Sequence, residues 1–422
     1  MCALVPYFIF ERIIVSTISL NQKSYTLPSI PVVVICADGW ANEYISLGFA
    51  HGELPNLARL ASDGYYGLAR GALPSFTNVN NCSIVTGTPP SETGIGGNYI
   101  IDPESGEELM TNSSRFLRNA TILAAASQAG RKVAMVTAKD KLRELLSKGM
   151  DGISISAEKA NEVSLELNGI DNVESLAGPK PVIYSAEASL YVLRVGVELL
   201  ASGRADFLYL SLTDYMQHKY APEAPESREF YRLIDAEIGK LLDLNAVVGV
   251  TADHGMNAKC NRDGEPNVIF LETDLVQEFG DGIRVICPIT DPYVVHHGAL
   301  GSAVTVYLPD GVDAQKVADW IAELDGVAEV YSKDAAINKL ELPGDRIGDL
   351  FVLSERDWVI GRTPDHHDLG KLEGTLRSHG GRYEEMVPFL VSKPLNNKYA
   401  ALAKGDPRNF DIFDFVCNGI KP

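Results

Sequence analysis

The chain has 422 residues, of which 45% are apolar, and a formal net charge of −19. Its length predicts a large core with an inserted or appended subdomain, and its composition argues against intrinsic disorder. The acidic surface disfavours nucleic acid and anionic membranes as partners, but it leaves room for a small anionic substrate at a local positive centre.

Met1 to Val15 is apolar, short and interrupted by Glu11 and Arg12. Without a basic leading region or a small-residue cleavage site it reads as a tail, not as a signal peptide. No later run approaches about 18 consecutive apolar residues, so no membrane span is expected. The six cysteines (Cys2, Cys36, Cys82, Cys260, Cys287 and Cys417) are scattered and form no C-x-x-C pair. That argues against a disulfide framework or thiolate zinc site and for a reducing, cytoplasmic compartment.

Pro31 to Cys36 is a β-branched run of the kind buried on both faces of a parallel sheet, and it stops at Asp38-Gly39. Asp206 to Leu212 repeats the arrangement and runs into Thr213-Asp214, and Ala246 to Thr251 runs into Ala252-Asp253-His254. Helical patterns lie between them: Pro55 to Asp63 with a stop at Gly64, Ala120 to Ala129 with a stop at Gly130, and Ser185 to Ala201. Strand alternating with helix predicts an α/β fold with a central, mostly parallel β-sheet flanked by helices. Open α/β sheets bind ligands at the carboxyl ends of their strands, where all three aspartates would sit.

Beyond His254 the texture changes. Ser302 to Leu308 reads as a strand, Asp313 to Leu324 as an amphipathic helix and Val327 to Tyr331 as a strand. This predicts a smaller α+β cap over about 258–345, inserted in a core formed by 1–257 and 346–422. Asp349 to Leu353 is expected to return to the core sheet.

The chain has eight histidines. Asp214-x-x-x-His218 puts a carboxylate and an imidazole on one helical face, and Asp253-His254 puts two ligand types side by side in a loop. His379 stands in a Ser-His-Gly-Gly turn, where glycine lets the backbone approach a site closely. Each piece alone is weak; three aspartates after three buried strands, two with a histidine nearby, together suggest a divalent metal site. Thr77 is a nucleophile candidate in Leu73-Pro74-Ser75-Phe76-Thr77-Asn78, a helix start at which a hydroxyl faces unpaired N–H groups. A neighbouring metal would lower its pKa, although on the local sequence alone helix capping by Ser75 or Thr77 is the stronger reading. His296-His297 falls near the cap, and His366-His367 lies in a loop as the reserve ligand should His379 not serve.

The ordered set Asp38-Gly39, Pro74-x-x-Thr77-Asn78, Thr86-Gly87-x-Pro89, Gly94-Ile95-x-x-Asn98, Asp214-x-x-x-His218, Asp253-His254-Gly255-Met256 and His379-Gly380 resembles the alkaline phosphatase superfamily. It is most similar to the threonine-nucleophile branch that holds nucleotide pyrophosphatase/phosphodiesterases and phosphonoacetate hydrolases. Val34 to Gly39, Thr137 to Leu142 and Thr213 to Lys219 resemble the phosphonoacetate hydrolase family most.

The resemblance implies two zinc ions; the mixed Asp/His ligand chemistry also admits manganese, iron or cobalt. Asp214, His218 and His379 would hold one ion; Asp38, Asp253, His254 and the Thr77 hydroxyl would hold the other. It further implies cleavage of the C–P bond of phosphonoacetate, a small anionic phosphonate, to acetate and phosphate. The carbon leaving group must delocalise its charge onto its carboxylate, so cations belong at that end too. Lys139 and Lys141, with Asn98, are the implied substrate contacts. A phosphodiesterase or nucleotide pyrophosphatase using the same residues is the rival reading. A homodimer is compatible with the sequence, which does not set the oligomeric state.

Overall fold

Val32–Cys36 forms the middle strand of a seven-stranded sheet. The structure, a computed structural model, describes residues 16–291, 298–371 and 374–421. The sheet runs in the order Tyr65–Arg70, Met386–Val391, Val247–Thr251, Val32–Cys36, Phe207–Ser211, Val133–Thr137, Ile153–Ser156. The last five strands pair in parallel, and Met386–Val391 runs antiparallel to both of its neighbours.

Both faces of this sheet are covered. Along the middle strand Val32, Val34 and Cys36 pack into one hydrophobic cluster, and Val33 and Ile35 into the other. That alternation is the two-residue period of a strand between two helical layers. Helices Thr77–Thr86 and Ile412–Asn418 contribute to the first cluster, and Ala186–Ala201 and Pro225–Asp243 to the second. Each fully buried valine or isoleucine contributes roughly 1.5–3 kcal/mol, so such strands hold their register against slippage.

The register positions the site. Cys36 lies opposite Thr251 on one side and Ser211 on the other. The three chains therefore leave the sheet at one level and the same end. The expected helices form at Pro55–Asp63, Ile122–Gln128 and Ala186–Ala201, the second shorter than its pattern because Thr121 caps it by accepting from the Ala124 N–H.

The second sheet has four antiparallel strands in the order Arg284–Ile286, Ala303–Tyr307, Leu350–Ser354, Val327–Ser332. The expected strand–helix–strand unit is present as Ala303–Tyr307, Ala314–Ala322 and Val327–Ser332. Leu350–Ser354, however, does not return to the core sheet. It fills the gap between the other two strands of that unit, so a boundary at 345 would cut this sheet. An all-apolar run announces a strand buried on both faces but not which sheet receives it. The buried residues of the second sheet also join the same hydrophobic cluster as one face of the large one.

The tail expected over 1–15 and the pair His296-His297 lie outside the described residues. Among the described residues no helix is long and apolar enough to cross a membrane.

Candidate metal centre

Asp38 follows the middle strand after one residue, Ala37. Gly39 beside it has φ +72°, and a Cβ built there would stand 2.9 Å from the Asp214 Cβ, so glycine is what lets these two loops meet. Asp214 precedes the short helix Tyr215–Lys219, which carries His218 one turn on. Asp253 and His254 follow Val247–Thr251. His379 comes after Arg377–Ser378, and at Gly380, with φ +120°, a Cβ would lie 2.4 Å from the Phe76 ring.

Thr77 is the first residue of helix Thr77–Thr86, two to three residues later than the sequence suggests. Ser75 is unavailable as a cap because it is bound elsewhere: its N–H donates to the Gly380 carbonyl at 3.1 Å and its hydroxyl to the Gly381 carbonyl at 3.0 Å.

The side chains converge in two buried groups, Asp214–His218–His379 and Asp38–Asp253–His254, and within each the ligand atoms lie within 4.8 Å of one another. Asp214 Oδ2 is 2.9 Å from His218 Nε2 and 3.7 Å from His379 Nε2. His254 Nε2 is 3.3 Å from Asp38 Oδ1, 3.7 Å from Asp253 Oδ2 and 3.4 Å from the Thr77 hydroxyl. Thr77 thus stands at the second group, where the resemblance puts it.

All three histidines are oriented in one way. Nδ1 of His218 lies 2.8 Å from the Arg377 carbonyl, that of His254 2.8 Å from the Gly255 carbonyl and that of His379 2.8 Å from the Ser75 carbonyl. A carbonyl only accepts, so each Nδ1 carries the proton and donates, and each Nε2 points into the site as a potential ligand.

The electrostatics fit a cation. Burial and the neighbouring carboxylates Asp214 and Asp253 raise the Asp38 carboxyl well above its ordinary range, and Asp253 is raised by burial too. Burial alone would lower the His254 pKa, but Asp253, Asp38 and Asp214 outweigh it and push it up to about 10. Burial also opposes the charge on Asp214, yet His218 and Lys139 hold its carboxyl well below the usual range. His379, by contrast, is held neutral by burial and by its two histidine neighbours. Asp38 Oδ1 is buried and, apart from the approach of His254 Nε2, has no hydrogen-bond partner among the described residues. Three carboxylates with an orphaned oxygen, facing three imidazole nitrogens, form a donor set that fits one divalent cation per group.

Lys139 leaves the carboxyl end of a fourth parallel strand, Val133–Thr137, and its ammonium is 3.9 Å from Asp214 Oδ1. Burial disfavours its charge, but Asp214, Asp38 and Asp291 more than compensate, and its pKa is raised. Lys141 is paired with Asp291, and burial and Lys139 lower its pKa. Both lysines line a cleft with Asn112, Lys159, Tyr184 and Asp291. Asn98 is buried, and its Oδ1 accepts from the Asn78 N–H at 2.9 Å, which sets its carboxamide against the first turn of the Thr77 helix.

The reserve histidines are used otherwise. His367 accepts from the Arg362 N–H at 2.8 Å and its Nδ1 lies 2.8 Å from the Gly298 carbonyl; the side chain of His366 bonds Thr363. Sequence reasoning missed three supporting residues. Asn81 donates to Asp253 Oδ2 at 3.2 Å and to the Thr77 carbonyl at 3.0 Å. Gln217 donates to the Asp38 carbonyl at 2.9 Å, and the buried Arg377 donates to the Gln217 carbonyl at 2.8 Å. Asn81 was detectable, since i, i+4 spacing puts it on the helical face of Thr77. Arg377 had no local signal.

A family model described as type I phosphodiesterase / nucleotide pyrophosphatase matches residues 32–382. The phosphonoacetate hydrolase of Sinorhizobium meliloti 1021, crystallised with phosphonoformate, is 43% identical with a TM-score of 0.91; the match covers 96% of this chain and 99% of that one. The same enzyme crystallised with phosphonoacetate is 42% identical. Murine ectonucleotide pyrophosphatase/phosphodiesterase 5, at 16% identity and a TM-score of 0.61, shares the fold. Among curated relatives, human ectonucleotide pyrophosphatase/phosphodiesterase family member 7 is 22% identical over 236 residues, 51% of this chain and 45% of its own. An uncharacterized pyrophosphatase/phosphodiesterase of Schizosaccharomyces pombe is 33% identical over 113 residues, 26% of this chain and 22% of its own. The match therefore spans less than half the length of either curated relative.

The chain belongs to the type I phosphodiesterase / nucleotide pyrophosphatase family, has the alkaline phosphatase-like fold and is a homologue of phosphonoacetate hydrolase over nearly its whole length.

Proposed function

We propose that this member of the family hydrolyses the C–P bond of phosphonoacetate to acetate and phosphate, using two divalent metal ions and Thr77. The observation that carries this reading is the placing of Lys139, 3.9 Å from Asp214, in the lining of a cleft it shares with Lys141. A phosphate-ester hydrolase needs no cations there. A C–P hydrolase does, because its leaving group departs with the electron pair of the broken bond.

Asp214, His218 and His379 would hold one ion, and Asp38, Asp253 and His254, with the Thr77 hydroxyl, the other. Zinc suits this mixed set, as do manganese, iron and cobalt. Bound there, the cations supply Lewis-acid neutralisation of the phosphonate oxygens and depress the pKa of a neighbouring hydroxyl. Thr77 Oγ1 forms the new O–P bond as the P–C bond breaks. The electron pair moves to the carboxymethyl carbon and spreads onto its carboxylate, where Lys139 and Lys141 stabilise it. Asn98 orients the phosphonate group. The leaving group takes up a proton to become acetate, and water then cleaves the phosphothreonine to regenerate Thr77.

The test is release of phosphate and acetate from phosphonoacetate, before and after chelation, with zinc added back. Zinc-restored turnover is expected. A second reading, a phosphodiesterase or nucleotide pyrophosphatase, is favoured by the description of the matching family model. Faster turnover of bis(p-nitrophenyl) phosphate than of phosphonoacetate by zinc-loaded protein would select it.

A further inference from the structure

The two metal groups are carried on separate loops, and one buried residue joins them through its main chain and its side chain. Glu384 lies just beyond the His379 turn and has 1% relative exposure. Its backbone carbonyl accepts from the Gly255 N–H at 2.7 Å, one residue after His254. Its Oε2 accepts from the Gly381 N–H at 3.0 Å, two residues after His379. Gly380 and Gly381 in turn hold Ser75 through their carbonyls, and the Ser75 carbonyl receives His379 Nδ1. Glu384 therefore touches the loop of one metal group and the turn of the other, and that turn holds the segment that leads into Thr77.

A carboxylate at this depth needs compensation. Lys259 supplies it, with Nζ 2.8 Å from Glu384 Oε1 and its side chain wholly buried. Asn257 Nδ2 donates to the same oxygen at 2.6 Å, and Lys259 also donates to the Arg356 carbonyl at 2.6 Å. Asn257 and Lys259 stand on the strand segment that leaves the His254 loop and pairs with Arg377–Ser378. Both carboxylate oxygens of Glu384 are thus committed to segments that adjoin a ligand, and Lys259 is further anchored to the Arg356 carbonyl.

We propose that the Glu384–Lys259 pair is a positioning device that fixes the separation of the two metal groups, and with it the place of Thr77 at the second group. This rests on the two-metal reading of the site. Neither residue touches a ligand side chain or the cleft, so both act through the loops they hold. Removing the pair leaves all six ligands and the backbone pairing of the two segments in place but loosens the His379 turn against the His254 loop. One ion then binds nearly as before and the second binds weakly.

The experiment is a cobalt titration of the full-length protein, followed by visible absorption and by calorimetry. Wild type is compared with the volume-matched double variant Lys259→Met/Glu384→Gln, and with Arg131→Met as a control. Arg131 makes a buried pair with Asp206 at 2.7 Å, below the opposite end of the same strands. Two ions are expected on wild type. The double variant should keep one and bind the other about 10–100-fold more weakly, as is usual when groups behind a ligand are lost. Its kcat should fall more than its KM rises. Arg131→Met should lose thermal stability but bind both ions as wild type does. Unchanged affinity and spectrum for both ions in a folded double variant overturns the proposal. Equal metal loss in Arg131→Met also overturns it, since the effect would then be general destabilisation. Should wild type bind two ions and ignore phosphonoacetate, the substrate reading fails while this titration still decides the inference. Should wild type bind fewer than two, the inference falls with the two-metal reading.

Discussion

The imidazole rings of His254 and His379 are stacked, with centroids 3.5 Å apart and planes within 6° of parallel. They belong to different ligand groups, so this contact is the wall the two groups share. One ring is drawn toward the charged form by the carboxylates around it, and the other is held neutral.

This arrangement predicts separable metal sites. Asp214→Asn removes the carboxylate that lies beside both His218 and His379, whereas Asp38→Asn removes one from the second group. Each variant should keep about one ion per chain where wild type holds two, measured by elemental analysis after dialysis. Retention of two tightly held ions in either variant would count against these ligand assignments. Chelation should lower the melting temperature of wild type, and zinc should restore it.

Thr77 makes a sharper case because it is not needed to bury anything. Thr77→Ala should fold and keep its metal, since six other ligand residues remain, but lose turnover on the order of 10³-fold or more. Thr77→Ser should retain a measurable fraction. Mass spectrometry of acid-quenched turnover mixtures should find wild-type chains heavier by one phosphoryl group and Thr77→Ala chains without it. If Thr77→Ala turned over normally, the hydroxyl would have no part in the chemistry.

Much of this site can be read from the chain because its ligands follow strands that are buried on both faces. Val32–Cys36, Phe207–Ser211 and Val247–Thr251 are mostly apolar and buried throughout, each is followed closely by an aspartate, and parallel register brings those aspartates together. What binds the loops to one another carries no such signature. Arg377 and Glu384 make their bonds across long sequence separations, and a lone charged residue in a loop looks like any solvated one. The misplaced Leu350–Ser354 strand has the same cause, since partner choice among apolar strands depends on surfaces that only the folded chain presents.

Alkaline stability provides a test of the core that does not depend on the metals. The thiols of Cys82, Cys287 and Cys417 are raised above their ordinary value of 9.0, first of all by burial, that of Cys287 to about 12. The folded chain then keeps protons that the unfolded chain releases. Stability from these groups is fully present below about pH 9 and declines above it, by about 1.4 kcal/mol per pH unit for each thiol. Urea unfolding at pH 8 and pH 10.5 should show that decline. Cys287→Ala should be weaker at both pH values but fall less steeply between them. A slope equal to that of wild type would mean that the thiol ionises freely in the folded protein.

The two lysines of the cleft separate the leaving groups. Lys139 lies against Asp214 and so faces the metal groups, whereas Lys141 is tied to Asp291 across the cleft. An aryl phosphate expels a phenolate that carries its charge without help, but a carboxymethyl leaving group does not. Lys139→Met should therefore lower kcat on phosphonoacetate by about 10²–10³-fold, the scale on which loss of one charge-stabilising donor is felt, while p-nitrophenyl phosphate turnover changes far less. Lys141→Met should lower phosphonoacetate turnover by a smaller factor, because part of its charge is already spent on Asp291. The ratio of the two substrates' kcat/KM values, measured for each variant at one pH and fixed zinc, is the quantity to compare. Equal losses on both substrates would move Lys139 from the leaving group to general support of the metal site, and the choice of a phosphonate over a phosphate ester would lose its main structural argument.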